Sequence, residues 1–219
     1  MKKLLLATVA VLALSAPAWA ETIIATAKVD GSTVSVSNSA SGTLNLVNQS
    51  FGPVFNLNSL TVDSQSVLAF PGLLTTNTFN VNQTIGGTHD LVIDIVALGL
   101  IGPNALTPLL STFSVSGLPA GWSIQEETLI NNIPLSITSV FTGVSDSGSE
   151  IQSAFLGALF NAEAIYTIHS VGIGNLNGGI DIQEASTTPL PAAFWLFGTA
   201  LGGGGLLLRR RRKQAALTA

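Results

Sequence analysis

Leu91-Val92-Ile93-Asp94-Ile95-Val96 decides the fold. It is a run of branched aliphatic residues broken once by an acid, and it sets the texture of the chain on both sides. Toward the N-terminus the texture recurs in Phe79-Asn80-Val81, Leu60-Thr61-Val62, Leu44-Asn45-Leu46 and Val34-Ser35-Val36. Toward the C-terminus it recurs in Phe113-Ser114-Val115, Ile137-Thr138-Ser139-Val140 and Ile165-Tyr166-Thr167-Ile168. Successive strand residues face opposite ways, so apolar residues alternating with small polar ones mark strands with one buried face. Turn signals separate the runs: Asp30-Gly31, Gly52-Pro53, Pro71-Gly72, Gly86-Gly87, Gly102-Pro103 and Gly178-Gly179. Short strands at such spacing predict an all-β, antiparallel sandwich of jelly-roll or Ig-like type.

One segment departs from the pattern. Glu150 to Ala164 places Ile151, Phe155, Leu156, Leu159 and Phe160 at roughly helical spacing behind Ser149, which fits either a short capped helix or a wide strand pair. Gly117-Leu118-Pro119-Ala120-Gly121-Trp122 reads as a turn that returns Trp122 to the core.

The chain has 219 residues, is 47% hydrophobic and only 9% charged, and contains no Cys, which excludes a disulfide scaffold, a thiolate metal site and a cysteine nucleophile. Its charge is segregated. Lys2 and Lys3 open the chain and Arg209, Arg210, Arg211, Arg212 and Lys213 nearly close it, while residues 21–185 hold Lys28 alone against twelve acids, a net charge of −11. A surface so acidic offers nothing to a phosphate backbone, so nucleic acid is not a partner.

The two ends read as addresses. Residues 1–20 combine Lys2-Lys3, an apolar run from Leu4 to Leu14 and the small-residue site Ala18-Trp19-Ala20, the layout of a secretory signal peptide cleaved before Glu21. Signal peptidase and a Sec-type export machinery are the partners this implies. Residues 192–208, from Ala192 to Leu208, carry no charge and have the length of a minimal membrane-spanning helix. The basic cluster Arg209 to Lys213 resists translocation and sets the orientation N-out, C-in, with residues 209–219 as a cytoplasmic tail. Between the passenger of residues 21–185 and this helix, residues 186–191 form a linker. There Pro189-Leu190-Pro191 must be extended, because proline fixes φ and pushes its predecessor out of the helical region.

Thr188-Pro189-Leu190-Pro191-Ala192, followed by a short apolar helix and an arginine-rich stop, resembles the PEP-CTERM sorting signal in its VPLPA variant, with Thr188 where Val is usual. The resemblance covers residues 186 to 213. It implies an exosortase as partner: an integral-membrane, cysteine transpeptidase-like enzyme of Gram-negative bacteria that make exopolysaccharide. It also implies anchoring in the inner membrane before processing and a cell-surface or extracellular destination afterwards. The passenger loosely resembles FxDxF-type members of that group, with His89-Asp90-Leu91-Val92-Ile93-Asp94 at the rough location of the namesake motif. Tyr166 to Gly172, followed by Gly178-Gly179-Ile180-Asp181-Ile182, looks like the closing hairpin of such passengers.

A search for chemistry in the passenger returns little. There is neither a Gly-x-Ser-x-Gly elbow nor a His-Glu-x-x-His helix, and His89 and His169, the two histidines, lack recognised motif partners and read as edge or turn residues. Asp146-Ser147-Gly148-Ser149-Glu150 reads as an acidic turn whose oxygens could contribute to a calcium site, without EF-hand spacing. Glu126-Glu127 does not make a glycosidase pair, since neighbours on a strand face opposite ways. No catalytic residue, cofactor or metal ligand is assigned. The expectation is a non-catalytic structural or interaction domain, exported, sorted and associated with exopolysaccharide. Its alternatives are a carbohydrate- or calcium-binding lectin-like module and a permanently anchored type I membrane protein.

Overall fold

The computed structural model describes residues 21–65, 73–137 and 140–185. The expected signal peptide and its cleavage residues Ala18 and Ala20, the turn at Pro71-Gly72, and the linker, sorting motif, membrane helix and basic tail beyond residue 185 lie outside the described residues.

Twelve strands run through the described chain: β1 (Thr22–Val29), β2 (Ser32–Ser39), β3 (Thr43–Phe51), β4 (Phe55–Ser64), β5 (Leu74–Gln83), β6 (Thr88–Ile101), β7 (Ala105–Ser116), β8 (Ser123–Ile130), β9 (Ile133–Ile137), β10 (Ser145–Leu156), β11 (Leu159–Val171) and β12 (Gly174–Glu184). They form two antiparallel sheets. Sheet A has the order β2-β1-β6-β11-β8-β9 and sheet B the order β10-β7-β12-β5-β4-β3. The stretch Leu91 to Val96 lies in β6, with Leu91, Ile93 and Ile95 buried and Val92, Asp94 and Val96 on the outer face. The two sheets bury Trp122, Tyr166, Phe51, Phe55, Phe79 and Phe160 between them. Apolar inner faces of two sheets have no other way to leave water.

Hairpin geometry follows local chemistry. Asp30 (φ 49°) and Gly31 (φ 78°) join β1 to β2, and Asn131 (φ 52°) and Asn132 (φ 63°) join β8 to β9. Two consecutive left-handed residues make the turn whose twist matches the strands, and Asp, Asn and Gly tolerate that conformation best. Trp122 returns to the core as the sequence predicts: it is 1% exposed, and its indole N–H donates to the Val171 carbonyl at 3.2 Å.

Two expectations are corrected. The segment Glu150 to Ala164 contains no helix and no strand pair: β10 belongs to sheet B and β11 to sheet A, and the chain crosses between layers at Gly157 and Ala158. Gly178-Gly179 is not a turn but part of β12, and the reversal occurs at Gly172 (φ 79°) and Ile173. Gly178 serves close approach instead, because a Cβ there would lie 3.2 Å from Phe79 Cδ1 and 3.4 Å from Glu126 Oε1.

Candidate functional site

The outer face of sheet B is an array of amides and hydroxyls. Three strands that pair side by side each carry asparagine at alternate positions: Asn56 and Asn58 on β4, Asn80 and Asn82 on β5, Asn175 and Asn177 on β12. Register aligns Asn177 with Asn80, and Asn175 with Asn82 and then Asn56. Asn80 is the hub. Its Oδ1 accepts from Asn58 Nδ2 at 2.5 Å and from Asn175 Nδ2 at 3.0 Å, and its own Nδ2 donates to Asn177 Oδ1. Nearby, Thr75 Oγ1 donates to Asp181 Oδ1 at 2.6 Å, and Thr78 Oγ1 to Thr61 Oγ1 at 3.2 Å. An amide offers two donors and two acceptor lone pairs, so the ladder holds the outer amides in place while leaving part of their capacity toward solvent. Lys28, the single Lys or Arg among the described residues, lies on sheet A.

Beneath this face lies a polar centre. Glu126 on β8 is fully buried, beside Tyr166 on β11 in register and Gly178 of the opposite sheet. Burial pushes its carboxyl up to about 8. Tyr166 stacks on Phe79 (centroids 4.3 Å apart, 19° between planes), and its hydroxyl is hydrogen-bonded to Thr76 Oγ1. That Thr76 oxygen also accepts from the Ile180 N–H at 2.7 Å and lies 3.0 Å from the Ile180 carbonyl. Burial, and then the neighbouring Glu126 carboxyl, push the Tyr166 hydroxyl up. Ser111 and Thr128 share a second buried hydrogen bond at 2.9 Å between the sheets.

The histidines lie on β6 and β11, interior strands of sheet A, rather than in an edge or a turn, and each has an aspartate partner. His89 Nδ1 lies 2.9 Å from Asp30 Oδ2, and His169 Nδ1 lies 2.7 Å from Asp90 Oδ1. The backbone N–H of Asp90 and then the His89 side chain hold the Asp30 carboxyl below its ordinary value. Register places Asp90, His169 and Ser123 in line across β6, β11 and β8. The row stands on an open strand face, with His169 half exposed, and no hydrogen bond joins Ser123 to His169 among the described residues. Acyl transfer also needs donors aimed at a developing oxyanion in a water-excluded site, which an open face does not supply.

The outer face of sheet A gathers Asp94, Glu127 and Glu163. Desolvation, and then the charges of Asp94 and Glu127, push Glu163 up to about 7. Glu126 and Glu127 do face opposite ways, one into the core and one outward. Asp146-Ser147-Gly148-Ser149-Glu150 is not a turn; it lies on the edge strand β10. Strand rise places Asp146 and Glu150 ~13 Å apart, too far to share one ion. Hydrogen bonds from Ser136 (2.5 Å) and Gln152 (2.7 Å) hold Glu150 below its ordinary value. Among the described residues no group of three or more His, Asp or Glu is arranged to hold a metal.

Sequence reasoning passed over the amide ladder, although its signal was present. Asn-x-Asn recurs at 56–58, 80–82 and 175–177, and period two puts each pair on one strand face.

No protein-family model and no curated protein matches the chain. Solved structures with some likeness include a β-glucosidase from Kluyveromyces marxianus in complex with glucose, at 10% identity over 75% of this chain and TM-score 0.34; the chain spans 16% of that enzyme. Others are the C-terminal CBM6 module of a marine laminarinase from Zobellia galactanivorans (15% identity, 65% of this chain and 99% of that one, TM-score 0.29) and a family 35 carbohydrate binding module from Clostridium thermocellum (7%, 65% and 98%, TM-score 0.30).

Proposed function

We propose that this chain is an exported, non-catalytic β-sandwich sorted to the cell surface or matrix, where the outer face of sheet B associates with polysaccharide. The amide ladder centred on Asn80 carries the reading. A polysaccharide presents donors and acceptors alternately along its hydroxyls, and prearranged amides match that alternation without the ordering cost of free side chains. The face holds Asp63 and Asp181 but no cation, so a neutral polymer should bind directly and an acidic one only through a bridging divalent ion. Sorting follows from the ends of the sequence. The strands run from Thr22 to Glu184, and the expected cleavage before Glu21 and the Pro189-Leu190-Pro191-Ala192 motif flank them in the sequence.

The binding test is co-sedimentation with insoluble neutral and acidic polysaccharides, with and without calcium. Retention by the neutral polymer that is lost in Asn80→Ala supports the reading; no retention under any condition ends it. For sorting, the intact mass of the mature protein is compared between hosts with and without an exosortase. A tail shortened near Pro191 only in the first host supports sorting, whereas identical intact tails leave a permanently anchored type I protein.

A further inference from the structure

The sandwich has four edge strands, and three of them are interrupted. A bulge between Ala27 and Lys28 displaces β2. The ladder of β3 skips Asn48, which has φ 53°. Five-residue β9 carries Pro134 and a register shift between Thr128 and Leu129 on its partner. Bulges, prolines and short length are the devices by which sheets stop a further strand from adding. The fourth edge has none of these three, and its only charges are Asp146 and Glu150, the second held by Ser136 of sheet A. β10 pairs with β7 without a register shift from Ser145 to Leu156, and it contains neither proline nor lysine. Its outer face leaves Ile151 64% and Phe155 59% exposed, and Leu106, which pairs with Phe155 across β7, 68% exposed.

We infer that β10 is a self-association edge, where a second copy of this chain adds antiparallel to extend sheet B across a two-fold axis at Ser153. The sequence of the strand favours its own copy. Pairing about Ser153 sets Ile151 of each copy opposite Phe155 of the other, with each Leu106 flanking, so the exposed apolar residues of both edges cover one another. Same-face residues stay on the same face, because the paired positions share parity. Glu150 falls opposite Leu156 rather than opposite its own symmetry mate, and Asp146 lies beyond the paired stretch. The residual opposition is long-range: each passenger has a formal net charge of −11 and stays strongly acidic with Glu126 protonated, so association strengthens as salt screens the repulsion. Sheet extension at this edge does not depend on polysaccharide binding by strands β4, β5 and β12.

The absence of cysteine allows a direct test on the full chain in its membrane extract. Ser153→Cys sits on the proposed axis, where two thiols come within disulfide reach across an antiparallel pair. Ser149→Cys lies on the same face of the same strand off the axis, and Ser37→Cys lies on β2. Under copper-phenanthroline oxidation, non-reducing gels should show Ser153→Cys forming dimer roughly 10-fold faster than either control, the gain expected when a paired encounter replaces random collision. Adding Phe155→Lys should remove that advantage while leaving the thermal melt unchanged. Equal rates at all three positions, a monomer throughout, or a Ser153→Cys dimer indifferent to Phe155→Lys would each overturn the proposal.

Discussion

Two polar clusters lie back to back across sheet B, one buried and one open to water. Inside, Glu126, Tyr166 and Thr76 occupy the space between the sheets; outside, Asn58, Asn80, Asn175 and Asn177 form the amide ladder. The same two strands serve both, since β5 carries Thr76 inward and Asn80 outward, and β12 carries Gly178 inward and Asn177 outward. Similar groups therefore carry different energetic weight. In the interior, the cost of removing a charge from water governs the energetics. On the face, each amide can exchange its neighbour for solvent at little cost, which suits the proposed exchange of neighbours for ligand hydroxyls.

Glu126 gives the largest effect by which this contrast can be broken. Its carboxyl titrates at about 8 in the fold against 4.5 in a solvated chain, so between those values the folded state holds a proton that the unfolded state has released. Stability is thus fully present below pH 4.5 and falls as pH rises through 8, by on the order of 5 kcal/mol in total. Glu126→Gln removes the dependence and should unfold at higher urea than the parent at pH 9. The difference between parent and variant isolates this group from Glu163, whose value is also raised. Equal parent stability at pH 5 and pH 9 would show that Glu126 is not held neutral by its surroundings.

Gly178→Ala comes next. The new methyl would press on Phe79, which is fixed by its stacking on Tyr166, on the Ser114 backbone carbonyl at 3.4 Å, and on Glu126 Oε1. Two of these neighbours cannot yield, so a loss of about 1–3 kcal/mol is expected, read from denaturant midpoints. A stability unchanged by the methyl would mean that the layers separate more readily here than their packing implies. Tyr166→Phe keeps the stacking and removes only the hydroxyl from Thr76, and so should cost about 1 kcal/mol.

The sequence made the alternation legible and left the partnerships hidden. Strand positions around Leu91 to Val96 and the return of Trp122 could be read because period two reports which face a residue takes. It does not report which sheet a strand joins, and so the crossing between β10 and β11 at Gly157-Ala158 looked like a local element with helical spacing. Glu126 shows the same limit from the other side. The parity of Ile124, Thr128 and Ile130 would place it inward, but a carboxyl argues against burial until Gly178 and Tyr166 are seen to enclose it. The aspartate partners of His89 and His169 come from turn and register geometry; Asp30 is fifty-nine residues from His89. The amide ladder was readable as repeated Asn-x-Asn, and recognising it required only the pairing of β4, β5 and β12.

Asn80→Ala is the smallest expected effect on stability and the sharpest on the proposed function. Asn80 accepts from Asn58 and Asn175 and donates to Asn177, so its removal frees three amides at once, but each remains within reach of water. The cost to folding should therefore stay within about 0.5 kcal/mol, the range for surface changes away from special features. For ligand binding the arithmetic differs. The three freed amides must be ordered again each time a polymer binds, at roughly 0.5–1.5 kcal/mol apiece, so retention on a neutral polysaccharide should fall on the order of tenfold or more. If Asn80→Ala melts with the parent and binds with the parent, the ladder is only a solvated surface; a large loss of stability would mean that the outer face carries structural weight comparable to the buried centre behind it.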